Sequence, residues 1–161
     1  ILAKKCRMIA NHGRIDKYDH QFVGRNSRLD GIQAAILNVK LKYLDRWIFH
    51  RNEVANLYID KLVDYSAITL PIKQEWAKHS YHLFVIRHPQ RDKIIESCKK
   101  LNIQTSIHYP IALPKLEAFK YLNQSKENGF SWENDNNLLS LPIGEHIDIE
   151  ILKNKISLLE V

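Results

Sequence analysis

Cysteine, glycine and proline are scarce in this sequence of 161 residues, and long hydrophobic runs are absent. Cys6 and Cys98 both fall in segments with helical spacing and form no CxxC pair, so the sequence predicts neither a disulfide framework nor a cysteine metal site. The apolar runs are too short to span a bilayer, and the N-terminal segment lacks the apolar core of a signal peptide. We therefore expect a cytoplasmic protein with no membrane partner.

The formal net charge of +6 favours an anionic partner, such as a phosphorylated metabolite. The basic residues are spread along the chain and are not interleaved with aromatic residues, which argues against a nucleic-acid partner. His79 and His82 form a close pair without a third ligand at a metal spacing, so no metal is expected. Because no nucleophile elbow or carboxylate pair stands out, the motifs alone identify no catalytic residue.

The pattern of apolar residues changes twice along the chain, near residues 27 and 64. Before the first change it predicts a helix that ends near Gly13, followed by a polar loop. Between the two changes it predicts one long helix, capped by Ser27 with Asp30 or, one turn later, by Asp30 with Gln33. After the second change, short strands alternate with helices, which is typical of an α/β layer. The strands are predicted at 67–70, 81–87, 104–108 and 138–141, the helices at 91–101, 116–122 and 149–159, and a surface loop at 125–137.

The segment VGRNSRLDG (23–31) carries the first group of candidate binding residues. It places Arg25, Asn26, Ser27 and Arg28 directly before a helix start. Unpaired backbone N–H groups and the helix dipole favour a phosphate at such a position. A capping box with solvated arginines explains the same residues and, judged from spacing alone, is the more common outcome.

His108 and Tyr109 form the second candidate group, at the end of a predicted strand and next to Pro110. Ligands collect at strand ends in α/β layers, and both side chains can donate and accept hydrogen bonds. A strand-end histidine that bonds only to the backbone is the alternative interpretation.

Five segments carry a resemblance that covers nearly the whole chain. They are RMIANHG (7–13), VGRNSRLDGIQAAILNVKLKYLDRW (23–47), SYHLFVIR (80–87), NIQTSIHYPIALP (102–114) and LLSLPIG (138–144). Together, in this order and at this spacing, they resemble the DegT/DnrJ/EryC1/StrS family of pyridoxal-phosphate sugar aminotransferases. The segments IHYPIALP and LSLPIGEH look most like the branch of the family that aminates C3 of dTDP-linked 3-keto-6-deoxy sugars.

The resemblance implies the α/β fold of the C-terminal part of a fold-type I pyridoxal-phosphate transferase. Residues 1–26 would end the large cofactor domain and carry an active-site loop. Residues 27–63 would form the long connecting helix, and residues 64–161 the small mixed α/β domain.

The resemblance also assigns roles to individual residues. Asn26 is expected to reach the cofactor phosphate of the neighbouring subunit in a homodimer, with Arg28 beside it. His108 and Tyr109 match the segment that approaches a nucleotide-diphospho sugar. The remaining two residues expected to border the same cavity are His12 and Tyr18.

By this resemblance, the parent protein transfers an amino group, with glutamate as the donor, to a keto sugar nucleotide through pyridoxal phosphate. The family's Schiff-base lysine lies upstream of Ile1, so we expect a piece of a longer protein that is inactive alone. Pro114 stands where many relatives have a histidine, so sugar contacts from that loop are expected to differ. A dehydratase of the same family and a non-catalytic dimerisation or binding module stay open as alternatives, and a nucleic-acid binder is the least favoured.

Overall fold

The computed structural model describes residues 1–124 and 129–159. The chain divides into two compact units, Ile1–Leu44 and Asp45–Val161. The division falls inside the segment that the sequence predicts as one connecting helix. Each unit is described by itself below.

The first unit contains helix α1 (Leu2–Ala10), a returning loop and helix α2 (Gly31–Leu41). Helix α1 ends as predicted, because Gly13 adopts a φ of 73° and its N–H bonds to the carbonyl oxygen of Met8 at 2.7 Å. The loop then runs back along the end of α1. Asp30 caps α2, since its side chain accepts from the Gln33 N–H at 2.8 Å, so the later of the two predicted caps is used.

The predicted single long helix is wrong, because the helix is interrupted at Lys42 and Tyr43. The Lys42 N–H bonds to the carbonyl oxygen of Val39, and the Tyr43 N–H to that of Lys40. Both bonds span three residues, so they tighten the chain into a turn before α3 begins. This turn contains neither glycine nor proline, and the apolar spacing therefore gave no sign of it.

The second unit is built around two antiparallel strands, β1 (Phe84–Arg87) and β2 (Leu138–Leu141). Phe84 lies opposite Leu141, and Arg87 opposite Leu138. The helices here are α3 (Leu44–Leu62, of which all but the first residue belong to this unit), α4 (Arg91–Lys100), α5 (Phe130–Asn134) and α6 (Ile149–Ile156), with two 3₁₀ helices at Leu113–Lys115 and Glu117–Leu122.

The predicted strands at 67–70 and 104–108 each form only a single bridge at an edge of this strand pair. Thr69 bridges to Arg87 beside β1, and Ser106 bridges to Ser140 beside β2. Pro71 and Pro110 follow these bridges closely, and a proline has no N–H with which to extend a strand pairing. The predicted surface loop at 125–137 contains α5, while residues 125–128 lie outside the described part of the chain.

The core of the second unit lies between α3, the strand pair, α4 and α6. Three aromatic rings contact one another at tilted angles at its centre, where the centroid of Phe84 is 5.0 Å from that of Tyr58 and 5.9 Å from that of Tyr81. The Tyr58 hydroxyl donates to the carbonyl oxygen of Pro142 at 2.7 Å. The buried apolar residues are Val54, Ala55, Tyr58, Leu62, Ile68, Tyr81, Phe84, Ile86, Ile94, Cys98, Ile103, Leu139, Leu141, Leu152, Ile156 and Leu159.

Over the described residues, none of the helices combines the length and the apolar character that crossing a membrane requires. In the same part of the chain, histidine, cysteine and carboxylate side chains do not gather in groups of three that could hold a metal ion.

Candidate functional site

Asn26 is positioned by backbone hydrogen bonds between the returning loop and the end of α1. It forms an antiparallel bridge with Asn11. On either side of it, the Arg25 N–H bonds to the Ile9 carbonyl at 2.7 Å, and the Ser27 N–H to the Ala10 carbonyl at 2.9 Å. The backbone of Asn26 is therefore fixed although its side chain is exposed.

Two glycines allow this close return of the chain. A Cβ atom on Gly24 would lie 2.1 Å from the backbone nitrogen of Gly13, and one on Gly13 would lie 1.7 Å from the carbonyl oxygen of Phe22. Neither distance leaves room for a side chain, so the two backbones can meet only as glycines. The sequence reading identified Gly13 as a helix end but missed Gly24, since nothing local marks a contact between residues so far apart.

Arg28 and Asn26 form a direct contact within the predicted phosphate segment. The Arg28 Nε donates to the Asn26 Oδ1 at 2.9 Å. This bond engages the Asn26 oxygen, so the N–H groups of its amide are the donors that the side chain can offer to a ligand. The pair thus presents amide and guanidinium donors next to the start of α2, together with the exposed Arg25.

This donor set fits a phosphate group. Phosphate oxygens accept hydrogen bonds from amide N–H groups, guanidinium groups and helix N-termini, and the groups before α2 are of these three kinds. The nearby Asp30 carboxylate is engaged as the cap of α2. The residues present therefore suit the phosphate of a cofactor such as pyridoxal phosphate, and they include no lysine in this position that could form a Schiff base.

His12 and Tyr18 lie on the same returning loop but differ in their surroundings. His12 is half-buried with a φ of 60°, and its carbonyl oxygen accepts from the His20 Nδ1 at 2.9 Å. The Tyr18 ring is 84% exposed, with the Lys17 ammonium 5.3 Å from its centroid. The structure thus places His12 beside the Asn26 backbone, because the His12 N–H bonds to the Arg25 carbonyl at 2.9 Å, whereas Tyr18 stays in solvent.

His108 and Tyr109 belong to the second unit. The His108 Nδ1 forms a hydrogen bond of 2.9 Å with the hydroxyl of Ser140, which is buried in β2. The Tyr109 ring meets the His108 ring edge to face, with centroids 5.8 Å apart, and is 75% exposed. Since Ser140 fixes one ring nitrogen, the other nitrogen of His108 is the one left for a ligand. The bond goes to a side chain, so the alternative of a purely backbone-bonded histidine is not what the structure shows.

Sequence reasoning missed Asp135, a buried carboxylate that contacts the segment after Tyr109. Its Oδ2 accepts from the Ala112 N–H at 3.0 Å, and both of its oxygens lie 2.7 Å from the Lys115 ammonium. The hydrogen bond from Lys115, followed by the one from Ala112, holds the pKa of the Asp135 carboxyl below its usual range. No motif joins residues separated by 20 or more positions, so the sequence offered no signal for this contact.

Comparison with solved structures defines the class of protein. DesV from S. venezuelae superposes with a TM-score of 0.85 at 31% identity, over 97% of this chain and 43% of that one. A DegT DnrJ EryC1 StrS aminotransferase from Brucella abortus gives a TM-score of 0.84 at 26% identity, over 98% and 42%. The chain therefore has the mixed α/β fold of part of a fold-type I pyridoxal-phosphate transferase, as predicted.

The particular family follows from the sequence comparison. The DegT/DnrJ/EryC1/StrS aminotransferase family matches residues 1–159, and the chain belongs to this family. It is 38% identical to the erythromycin biosynthesis sensory transduction protein EryC1 of Saccharopolyspora erythraea, over 99% of this chain and 44% of that protein. It is 36% identical to a dTDP-3-amino-3,6-dideoxy-alpha-D-galactopyranose transaminase of Aneurinibacillus thermoaerophilus, over 97% and 39%. The chain thus spans less than half the length of these relatives.

Proposed function

We propose that the protein to which this chain belongs transfers an amino group, with glutamate as donor, to the keto group of a nucleotide-diphospho sugar. Its family and its 36% identity to a dTDP-amino sugar transaminase support this reaction class. Pyridoxal phosphate, when bound, supplies the aldehyde that carries the amino group between the two substrates. The contribution of this chain is to bind and orient.

The contact that carries the proposal is the Arg28–Asn26 pair before α2. In this role the Asn26 amide donates to the cofactor phosphate of a neighbouring subunit, and Arg28 holds the amide by its oxygen. The exposed apolar residues of α2 fit this role, because large apolar patches of this kind are usually covered by other protein surface, here by the rest of the longer chain or by a neighbouring subunit. These residues are Ile32, Ile36, Leu37, Val39 and Leu41.

On the substrate side, His108 and Tyr109 contact the sugar nucleotide. Ser140 restrains the His108 ring, so the free ring nitrogen can bond to a sugar hydroxyl or to a phosphate oxygen. Tyr109 offers an exposed ring and hydroxyl next to it. We propose that His12 and Tyr18 also contact the substrate, and of these two His12 has the fixed backbone.

A subunit-mixing experiment tests the role of Asn26 in the full-length protein. One variant carries Asn26→Ala, and a second lacks the Schiff-base lysine that lies outside this chain. If Asn26 serves the neighbouring subunit, a mixed dimer has one complete site, because lysine and asparagine come from different chains. A random mixture should then recover about a quarter of wild-type activity, since half of its dimers are mixed and each has one working site.

One outcome of the mixing experiment would contradict the role of Asn26 in the neighbouring subunit. If mixed dimers are demonstrated by mass spectrometry and the mixture stays inactive, Asn26 does not act in the neighbouring subunit. Asn154→Ala is a matched control, because Asn154 is an exposed asparagine on α6, outside both groups of candidate residues. This variant should retain wild-type activity without any mixing.

A further inference from the structure

The segment from Tyr109 to Lys115 depends on one buried side chain for its position. We infer that Asp135 is the positioning residue of this segment, and that through it Asp135 sets where His108 and Tyr109 meet the substrate. The inference rests on the proposed function, since the position of these two side chains matters to catalysis only if they contact the sugar nucleotide.

Asp135 is well suited to hold a neighbouring segment because it is itself fixed. It directly follows α5 and is 4% exposed. Its carbonyl oxygen accepts from the Arg91 Nη1 at 3.1 Å, which ties its backbone to the start of α4. Its carboxylate bonds with the Lys115 ammonium and the Ala112 N–H therefore reach the segment from a rigid support.

The segment has few other connections. Within the described part of the chain, the hydrogen bonds that join residues 109–115 to elements outside the segment and its own 3₁₀ turn all go to Asp135. Tyr109, Ile111 and Leu113 are all at least half exposed, whereas Ala112 is buried. Packing thus holds the segment at Ala112, the residue whose N–H bonds to Asp135. The position of the flanking residues depends on that of Ala112.

The histidine at the head of the segment is held from the same stretch of chain. Ser140, which bonds to His108, lies in β2, which begins three residues after Asp135. Asp135 and Ser140, both buried, therefore fix the two ends of the segment from one short stretch of chain. Loss of the Asp135 contacts would release the end at Lys115 and leave His108 attached through Ser140 alone.

Lys115→Met gives the cleanest test, because it removes the ammonium but keeps the length and apolar character of the side chain. Lys120→Met is its matched control, since Lys120 pairs with Glu117 on the exposed surface of the next 3₁₀ helix. Lys115→Arg keeps the charge and the hydrogen bonds and serves as the conservative rescue. Asp135→Asn removes the charge from the other partner while it keeps an oxygen for the Ala112 N–H.

Two measurements are made on the full-length protein loaded with pyridoxal phosphate. The first is amide hydrogen exchange of the peptide that covers residues 108–116, followed by mass spectrometry. The second is the KM for the sugar nucleotide together with kcat. With Lys115→Met and Asp135→Asn, we expect exchange of this peptide and the KM to rise by about tenfold, because a hydrogen bond to a charged group is lost, with a smaller change in kcat. Lys115→Arg should restore both values, and Lys120→Met should alter neither.

Two results would overturn the inference. Unchanged exchange in both Lys115→Met and Asp135→Asn would show that the carboxylate does not hold the segment. Faster exchange with an unchanged KM would show that the segment is held there but does not position substrate groups. If the wild-type protein transfers no amino group to any nucleotide sugar, the proposed function fails, and the exchange comparison still decides whether Asp135 holds the segment.

Discussion

Replacement of Gly24 by alanine tests how the chain places Asn26. The new Cβ atom would lie 2.1 Å from the Gly13 nitrogen and 2.5 Å from the His12 carbonyl carbon. Both of these are backbone atoms, which cannot turn aside as a side chain can. The two stretches of backbone must therefore separate by about 1.5 Å to reach an ordinary contact distance.

The separation breaks the hydrogen bonds that surround the crossing. They are the bond from the His12 N–H to the Arg25 carbonyl, 2.9 Å, and the bond from the Arg25 N–H to the Ile9 carbonyl, 2.7 Å. At about 1 kcal/mol each, their loss lowers the free energy of local opening by about 2 kcal/mol. This corresponds to about 30-fold faster exchange of the Arg25 amide hydrogen.

Hydrogen exchange followed by NMR measures this effect residue by residue. Gly31→Ala is the matched control, because the same change at the first residue of α2 meets no atom within 4 Å and favours the helix. It should leave exchange at Arg25 and Ser27 unchanged. If Gly24→Ala also leaves exchange at these two residues unchanged, the close approach of the glycines does not place Asn26, and the reasoning is refuted.

Three further predictions concern the second unit and the two cysteines. Tyr58→Phe removes the buried hydrogen bond to a carbonyl just after β2 and should lower the free energy of unfolding in urea by about 1–2 kcal/mol; unchanged stability would contradict the bond. Burial raises the pKa of the Cys98 thiol to about 11, so iodoacetamide at about pH 8 should label the exposed Cys6 and spare Cys98 until the protein unfolds; equal labelling rates on peptide mapping would exclude this. The hydrogen bond from Lys115 lowers the pKa of Asp135 below its unfolded-state value, so its stabilising contribution is complete above the usual carboxyl pKa and disappears as the pH falls through the folded-state pKa. The difference in melting temperature between wild type and Asp135→Asn should therefore narrow in acid, and a constant difference would oppose this account.

Periodic segments were predictable from the sequence because their pattern is local. Helix α4 spans 91–100 against the predicted 91–101, and β2 spans the predicted 138–141. The end of α1 shortly before Gly13 followed from the preference of glycine for positive φ. In each case the residues that decide the structure lie within a few positions of one another.

Contacts between residues far apart in the sequence could not be predicted in this way. The Gly13–Gly24 approach and the Asp135–Lys115 pair arise only when the chain folds back on itself, and neither leaves a spacing that a single sequence reveals. The break after α2 could not be predicted for a different reason. At Lys42 and Tyr43 the backbone N–H groups bond to carbonyl oxygens three residues earlier instead of four. Residues of ordinary helix propensity can form such a turn, so no residue type marks it in the sequence.

The candidate residues near α2 and those near β2 are held by different physical means. In the first unit, Met8 is the one large apolar side chain that is buried among the described residues, while α2 buries none. The position of Asn26 thus depends on backbone hydrogen bonds and glycine contacts rather than on a hydrophobic core. In the second unit, Ser140 lies within β2 and Asp135 lies three residues before it, and this strand packs into an extensive core that makes both side chains rigid supports. Substitutions of Asn26 or Arg28 should therefore change the donors of the proposed phosphate site with little effect on folding, whereas substitutions at Asp135 or Ser140 should alter position and stability together.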